Sequence, residues 1–286
     1  MTSTFPHDAG GGAPAGERDA PAFEIRPLAT IEEYAACVAL QEQTWGAGFS
    51  ERVPTAILKV SQRIGGVTAG AFDSAGRLLG FVFGMTGVER GDLVHWSDML
   101  AVLPELHNLG LGRRLKAYQR DACRDIGVRR IYWTYDPLVA RNAHFNFNAL
   151  GVYAVEYAEN MYGANTASAL HRGVGTDRFV VAWPIGERAP AHLLHETTAQ
   201  VAAGAPVLNG AVRLLGPESP VVRVEVPCDI AAVQARAVEE AAGWRLATRE
   251  AFRAAEDAGY RVGGFYRDAA AGRCFYALVH PTIPIR

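Results

Sequence analysis

The stretch HNLGLGRRL, residues 107–115, combines two glycines and two arginines at the start of a helix-like pattern. The glycines are Gly110 and Gly112, while Arg113 and Arg114 occupy the predicted first turn of the helix. A helix dipole presents positive charge at this end, so two cations are unfavourable there unless an anion lies between them. The free N–H groups of a first turn bind such anions well. The stretch therefore indicates an anion-binding site.

Three interpretations of this stretch compete. In the first, the glycines only allow a tight turn into an amphipathic helix. The second is a dinucleotide-binding fingerprint, which needs its first glycine almost directly after a strand and a third glycine further on. Here Gly110 comes eight positions after Val102, and no third glycine follows at the required place. In the third interpretation, N–H groups of residues 108–113 cradle a pyrophosphate that the two arginines face. The third accounts for the arginines, so we prefer it.

The surrounding elements support the cradle. Over residues 23–185 the patterns predict the order βααβββαβαββ, with the cradle directly after the fourth strand. This order resembles the GNAT acyltransferase superfamily, whose signature has Val, Pro, Arg or Gln, Gly, and Gly or Ala around the cradle. The corresponding residues here are Val102, Pro104, His107, Gly110 and Gly112. His107 departs from the usual Arg or Gln, which puts one side-chain contact to phosphate in doubt.

The resemblance implies an α+β (α/β) fold, with a mixed, mostly antiparallel twisted sheet flanked by helices. It also implies acetyl-CoA or another acyl-CoA as co-substrate, and no metal. The pantetheine arm is expected where the fourth and fifth strands part, against the backbone of residues 100–102. The predicted CoA-binding residues are Leu100, Ala101, Val102, His107, Asn108, Leu109, Gly110, Leu111, Gly112, Arg113, Arg114 and Asn142. Asn142 lies two residues closer to the closing glycine than the family's usual asparagine.

Attack of an amine on a thioester needs a group that accepts a proton. The resemblance implies a carboxylate on the fourth strand, where Asp98 lies, with His95 as a less favoured alternative. Asp136 is expected either to hold an ammonium group at the acceptor end or to cap the turn that follows it. Phe147 stands where many family members have a tyrosine acid. Either another group protonates the thiolate, or the low pKa of a thiol makes an acid dispensable.

Four segments are predicted along the chain. Residues 1–22 are rich in Gly, Ala and Pro and are expected to be a disordered tail. Residues 23–185 form the GNAT-like domain, 186–219 a linker, and 220–286 a βαββ segment that packs on the first domain as a degenerate GNAT half. In this last segment Arg245 and Arg249 lie four apart on a predicted helix. A solvated helix face is preferred for them over a carboxylate clamp.

Composition excludes several classes of protein. A net charge of -2 gives no general attraction to nucleic acid or to anionic membranes, and no apolar run is long enough to span a bilayer. The four cysteines and eight histidines show no metal-ligand spacing, which favours reduced, mostly buried thiols in a cytoplasmic protein.

The sequence therefore predicts an N-acyltransferase of acetyl or succinyl type that acts on a small-molecule amine. An amino acid is the acceptor favoured by the subgroup it resembles, which is associated with N-acylamino-acid metabolism. The alternative is a non-catalytic acyl-CoA-binding or regulatory module. The oligomeric state stays open, and a homodimer is one expectation.

Overall fold

The computed structural model of the protein describes residues 22–46, 48–107, 109–163, 174–212, 219–280 and 282. The chain divides into two compact units. Unit 1 comprises Met1–Trp133 and Ile185–Glu187, and unit 2 comprises Thr134–Pro184 and Arg188–Arg286. The predicted domain boundaries stay predictions, and the predicted disordered tail lies outside the described residues except for its last residue.

Unit 1 contains a run of antiparallel strands and three helices. Its elements are β1 (Phe23–Pro27), α1 (Ile31–Trp45), α2 (Thr55–Arg63), β2 (Val67–Asp73), β3 (Leu78–Glu89), β4 (Asp92–Val102), α3 (Leu111–Asp125) and β5 (Arg130–Tyr135), of which the last two residues of β5 belong to unit 2. The first four strands pair antiparallel in sequence order, and β5 joins β4 in parallel. The pattern VTAGAFD, a turn and RLLGFVFGMTG predicts a hairpin, which β2 and β3 form. The spacing of Thr30 and Glu33 predicts a capping box, which the start of α1 has.

Unit 2 contains further helices and strands, including a three-stranded sheet. Its further elements are α4 (Ala140–His144), a π-helical turn (Phe145–Leu150), β6 (Tyr153–Ala158), β7 (Arg178–Pro184), α5 (Thr198–Val201), β8 (Val221–Val226), α6 (Ile230–Arg236), α7 (Val238–Asp257), β9 (Arg261–Asp268) and β10 (Arg273–Val279). The seven-stranded sheet has the order β1-β2-β3-β4-β5-β7-β6, and the three-stranded sheet has the order β8-β10-β9. The predicted mixed, mostly antiparallel fold is confirmed.

The two sheets share one connection pattern. In the run β5-α4-β6-β7 the last strand lies between the other two, and in the run from β8 through α6 and α7 to β9 and β10 it does so again. That the C-terminal segment is a degenerate GNAT half stays a prediction.

One helix prediction is wrong. The pattern from Asp229 onward predicts a single helix to about Ala258, but the structure has two helices that meet at Ala237. Ala237 is extended, with φ -154° and ψ 107°, and caps α6 on one side and α7 on the other. Neither Gly nor Pro marks this break, so the sequence pattern contains no signal for it.

Three further features concern the helices, the potential metal ligands and the cysteines of the described residues. None of the described helices combines the length and apolar character needed to cross a membrane. The described residues contain no cluster of three His, Cys, Asp or Glu side chains arranged to hold a metal ion. The cysteines are free thiols, of which Cys37, Cys123 and Cys274 are buried and Cys228 is exposed.

Candidate functional site

α3 begins after a glycine and has no side-chain cap among the described residues. Gly110, its N-cap residue, has a left-handed backbone with φ 77°. A Cβ added at Gly110 would meet no atom within 4 Å. The backbone N–H groups of this first turn therefore have no intrahelical acceptor and have space in front of Gly110. This geometry fits a phosphate group that approaches the backbone closely.

His107 has another contact in this loop. Its Nε2 lies 2.9 Å from the carbonyl oxygen of Val102, the last residue of β4. The imidazole therefore ties the end of the strand to the start of the loop. Contact of His107 with phosphate stays a prediction, and Asn108 lies outside the described residues.

The two arginines of the first turn are both exposed. The guanidinium carbon of Arg114 lies 4.0 Å from the ring centroid of Phe23 on β1, a cation–π contact that the sequence pattern does not reveal. Arg114 thus has a structural partner besides any anion. That Arg113 and Arg114 face phosphates stays a prediction.

β4 has an edge that β5 does not cover. The two strands pair in parallel only from Val94 to Trp96, so pairing with β5 ends well before Val102. On the other side, residues 100–102 pair with Gly80 to Val82 of β3. The backbone groups of residues 100–102 that point away from β3 are therefore not used by β5. This matches the strand separation that the family resemblance predicts before Val102.

Asp98 sits at a β-bulge in this strand. Met99 pairs with Phe83 and Ser97 pairs with Gly84, so Asp98 between them has no partner on β3. Bulges often occur next to active sites, where they redirect one side chain. Asp98 is half-buried, and burial raises the pKa of its carboxyl group, while a hydrogen bond with Trp96 acts in the opposite direction. A carboxylate with a raised pKa is better suited to accept a proton near neutral pH.

His95 is enclosed, which speaks against a catalytic role. It is 0% exposed, and burial, with a smaller effect of the Lys116 ammonium group, lowers its pKa to about 3. Gln119 turns its Oε1 to Lys116, so its Nε2 donates to Nε2 of His95 at 3.0 Å. Nδ1 of His95 then carries the proton and donates to Thr86 Oγ1 at 2.9 Å. Both nitrogens are occupied, so His95 has no ring atom left for a substrate.

Lys116 on α3 is buried, contrary to what the helix pattern predicts. The amphipathic pattern of α3 assigns Lys116 to the polar face, but the residue is 4% exposed. Its Nζ donates to Ser97 Oγ at 2.6 Å and to Gln119 Oε1 at 3.3 Å, and it lies 4.0 Å from the ring centroid of Trp133. Burial lowers the pKa of Lys116 to about 7. A buried amine between β4 and α3 was thus missed by sequence reasoning.

Asp136, in unit 2, is 8% exposed and already matched by cations. Its Oδ1 accepts the N–H of Leu138 at 2.9 Å, which confirms the predicted turn cap. Its Oδ2 lies 2.6 Å from Nη2 of Arg245 and 3.7 Å from Nη1 of Arg178. Burial acts to raise the pKa of Asp136, but the two guanidinium groups outweigh it and hold the pKa below its ordinary value. A role in binding an ammonium group stays a prediction, and these contacts do not favour it.

The solvated helix face predicted for Arg245 and Arg249 is wrong. Arg245 is 2% exposed, and Arg249 binds Asp177 through Nε at 2.8 Å and Nη2 at 2.7 Å. The helix that carries them places both against buried carboxylates. Charge spacing within one helix cannot reveal partners that lie about a hundred positions away in the sequence.

Phe147 stands where many family members have a tyrosine acid, and it has no proton to donate. Phe147 is 5% exposed and packs edge to face on Tyr276, with ring centroids 6.0 Å apart. The hydroxyl of Tyr276 is also buried, donates to the carbonyl of Pro137 at 2.9 Å and lies 3.1 Å from the hydroxyl of Tyr135. Neither side chain is placed to protonate a leaving group. Asn142 is 8% exposed at the start of this helical region, and its contact with pantetheine stays a prediction.

Comparison with known proteins gives similarity in structure only. No model of a known protein family matches the chain, and no curated protein matches it. Among solved structures, the ribosomal-protein-S18-alanine N-acetyltransferase of Escherichia coli is 19% identical, with 59% of this chain and 98% of that chain covered and a TM-score of 0.44. An aminoglycoside 6'-N-acetyltransferase complexed with coenzyme A is 16% identical, with 58% and 99% covered and a TM-score of 0.43. A chain of the NatC complex bound to Gag peptide and CoA is 16% identical, with 57% and 98% covered and a TM-score of 0.46.

These values describe a similarity to known structures, and the resemblance to the GNAT superfamily rests on the sequence signature around Val102 and Gly110. At such identities and TM-scores, the similarity says nothing about the reaction or the substrate of this chain. Its function has to be argued from its own residues.

Proposed function

We propose that the protein is an acyl-CoA-dependent N-acyltransferase of acetyl or succinyl type, acting on the amine of a small molecule such as an amino acid. The observation that carries this proposal is the uncapped first turn of α3, which follows a β4 edge that β5 leaves uncovered. The first feature suits a pyrophosphate and the second suits the amides of a pantetheine arm. Both lie in unit 1.

The residues of unit 1 have separate tasks in this proposal. The N–H groups of Leu111, Gly112 and Arg113 hold the phosphates, and Arg113 and Arg114 add charge. The backbone of residues 100–102 aligns the pantetheine arm. These contacts fix the donor thioester before the amine attacks.

Proton transfer is assigned to the bulged carboxylate on β4. The attacking amine must lose a proton, and Asp98 accepts it directly or through one water. The amine attacks the thioester carbon directly in a ternary complex, the carbon–sulfur bond breaks, and CoA leaves as a thiolate. Because a thiol has a much lower pKa than an alcohol, this leaving group does not require an acid at the position of Phe147.

A second candidate function is a non-catalytic acyl-CoA-binding module. It is favoured by Phe147, which is buried and has no proton to donate. The two candidates are separated by supplying acetyl-CoA or succinyl-CoA with a panel of amines and measuring free thiol. Amine-dependent release of thiol supports the transferase, and binding of CoA without any turnover supports the module.

Gly110→Ala tests the cradle. The new methyl group occupies the space that a phosphate needs, so we expect affinity for CoA to fall at least about 10-fold, the worth of one charge-assisted hydrogen bond. Calorimetric titration with CoA is the measurement. Gly127→Ala is the matched control, because Gly127 ends the same helix with φ 83° and equally open space. Both variants carry similar backbone strain, so equal affinities in the two would contradict the cradle.

Arg113→Gln and Arg114→Gln test the charge of the first turn. Each variant removes a cation at the positive end of the helix dipole. That cation destabilises the ligand-free protein by about 0.3–1 kcal/mol. We therefore expect an equal or higher melting temperature for the Arg113 variant. For the Arg114 variant we expect little change, because it also loses a contact with Phe23 of similar worth. Both should bind CoA more weakly, and the difference should shrink as salt rises.

Phe23→Leu completes this test, since it removes the ring under Arg114 and keeps the charge. It should bind CoA like the unmodified protein. If the two arginine variants bind CoA normally and lose stability, the arginines serve the fold and not an anion.

A further inference from the structure

Unit 2 buries two guanidinium groups beside one carboxylate. Arg178 on β7 is 1% exposed and Arg245 on α7 is 2% exposed. Nη2 of Arg245 lies 2.6 Å from Oδ2 of Asp136, and Nη1 of Arg178 lies 3.7 Å from the same oxygen. The proposed reaction does not involve either arginine.

Asp177, the neighbouring carboxylate, cannot accept a hydrogen bond from Arg245 as well, because its acceptor positions are already used. Asp177 accepts Nε and Nη2 of Arg249, the hydroxyl of Tyr157 at 2.6 Å and the N–H of Asn160 at 3.0 Å. Four hydrogen bonds fill the capacity of a carboxylate. Asp177 therefore offers no further acceptor to Arg245. Arg178 donates Nη1 to the backbone carbonyl oxygen of Asp177 at 2.8 Å, and its guanidinium group lies over the ring of Tyr162.

Arg245 also keeps one donor without an acceptor. Its Nε donates to the carbonyl oxygen of Val174 at 3.1 Å, and its Nη2 donates to Asp136. Its Nη1 is buried and has no hydrogen-bond acceptor in the part of the chain that the structure describes. A buried charged donor without a partner is costly, so such a group is accounted for by a bound water, ion or ligand.

We propose that Nη1 of Arg245, with the guanidinium group of Arg178 beside it, forms a subsite for a carboxylate of the substrate. The role in acyl transfer rests on the proposed function, whereas the binding of a carboxylate does not. One available donor on a guanidinium group suits a singly charged carboxylate better than a doubly charged phosphate. The carboxylate belongs either to an amino-acid acceptor or to the far end of a dicarboxylic acyl group such as succinyl.

Access to this subsite requires a local rearrangement, since Nη1 of Arg245 is closed to solvent. The fraction of molecules that is open lowers the observed affinity for a small carboxylate. Weak binding of an isolated carboxylate is therefore expected, and comparison of variants is more informative than the affinity itself.

The first experiment measures binding without turnover. The full-length protein is titrated with succinate and with its uncharged analogue succinamide, and binding is followed by calorimetry and by the shift in melting temperature. Arg245→Lys keeps a positive charge beside Asp136 but removes the planar fork that presents Nη1. We expect it to lower the affinity for succinate at least about 10-fold. Succinamide should give no shift with any form of the protein.

Arg249→Lys is the matched control, because it makes the same exchange four residues later on the same helix, at an arginine already bound to Asp177. It should retain the response to succinate. Equal responses in the two lysine variants, or equal binding of succinate and succinamide, would overturn the proposal. If Arg245→Lys does not fold, the double variant Asp136→Asn with Arg245→Gln removes the buried pair together, and the same loss of response is expected.

The second experiment identifies the source of the carboxylate. Turnover is measured with acetyl-CoA or succinyl-CoA, each combined with alanine or with ethylamine, which lacks the carboxylate. A loss in Arg245→Lys that is confined to alanine assigns the subsite to the acceptor, and a loss confined to succinyl-CoA assigns it to the acyl group. An equal loss in all four combinations would show a purely structural role. If the unmodified protein turns over none of them, the panel of amines decides the proposed function, and the succinate titration decides separately whether the subsite exists.

Discussion

Asp98→Asn is expected to lower turnover about 100-fold or more, the usual worth of a general base, while affinity for CoA stays nearly unchanged. The physical reason is that the amide keeps the size of the side chain at the β4 bulge but cannot accept the proton of the attacking amine. The measurement is kcat at saturating acyl-CoA and amine, together with calorimetry of CoA binding. Asp92→Asn is the control on the same strand, since Asp92 lies near Arg130 at 3.6 Å and has no assigned part in the reaction.

The dependence of activity on pH is a second test of Asp98. Burial raises the pKa of Asp98, and only the ionised carboxylate accepts a proton. Activity of the unmodified protein should therefore fall as pH falls through this raised pKa, at a higher pH than for an ordinary Asp. In Asp98→Asn this acidic limb should disappear from the residual activity. A loss of only a few-fold, with the limb unchanged, would assign proton removal to water or to the substrate in solution.

The framework of unit 1 could be predicted from the sequence because its signals are local. The capping box of Thr30 and Glu33, the hairpin of β2 and β3, and the glycines at both ends of α3 each act within a few residues. Together with the cradle signature, these signals were enough to predict the order of elements and the fold class.

The bulge at Asp98 was not predictable in the same way. It depends on the register between β3 and β4, which is a property of two strands together. Sequence reasoning selected Asp98 from the family resemblance alone. The structure adds the reason why this carboxylate, and not its neighbour His95, is available: the bulge leaves it without a strand partner, while His95 has both ring nitrogens occupied.

Buried polar groups were the main failure of the sequence reasoning. Amphipathic patterns place every Lys and Arg on the solvent side, which is the usual outcome. Lys116 and Arg245 are exceptions because their partners come from other elements: Ser97 lies on β4, and Asp136 is 109 positions away from Arg245. No periodicity within one helix contains that information.

Lys116→Met is expected to stabilise the ligand-free protein at neutral and acidic pH. The pKa of Lys116 falls to about 7 in the folded protein, from an ordinary value of 10.5. At 1.4 kcal/mol per pKa unit, this shift corresponds to a destabilisation on the order of 5 kcal/mol at most. Methionine fills a similar length but leaves Ser97 Oγ and Gln119 Oε1 without the amine, which costs about 1–3 kcal/mol for each of the two buried groups. A net gain of up to about 3 kcal/mol is therefore expected.

The pH dependence of this gain follows from the direction of the shift. Below pH 7 the amine is charged in both the folded and the unfolded states, so the cost of burying its charge is fully present. Between about pH 7 and 10.5 the unfolded chain binds more protons than the folded one, so the unmodified protein gains stability as pH rises. The advantage of Lys116→Met should thus be largest at pH 7 and below and should be lost towards pH 10.5. Denaturant unfolding at several pH values measures it, with Lys59→Met, an exposed lysine on α2, as the control that shows no such trend. Lower stability of Lys116→Met at every pH would contradict this prediction. It would show that the hydrogen bonds to Ser97 and Gln119 outweigh the cost of burying the charge. Lys116 would then be a residue that stabilises the contact between β4 and α3.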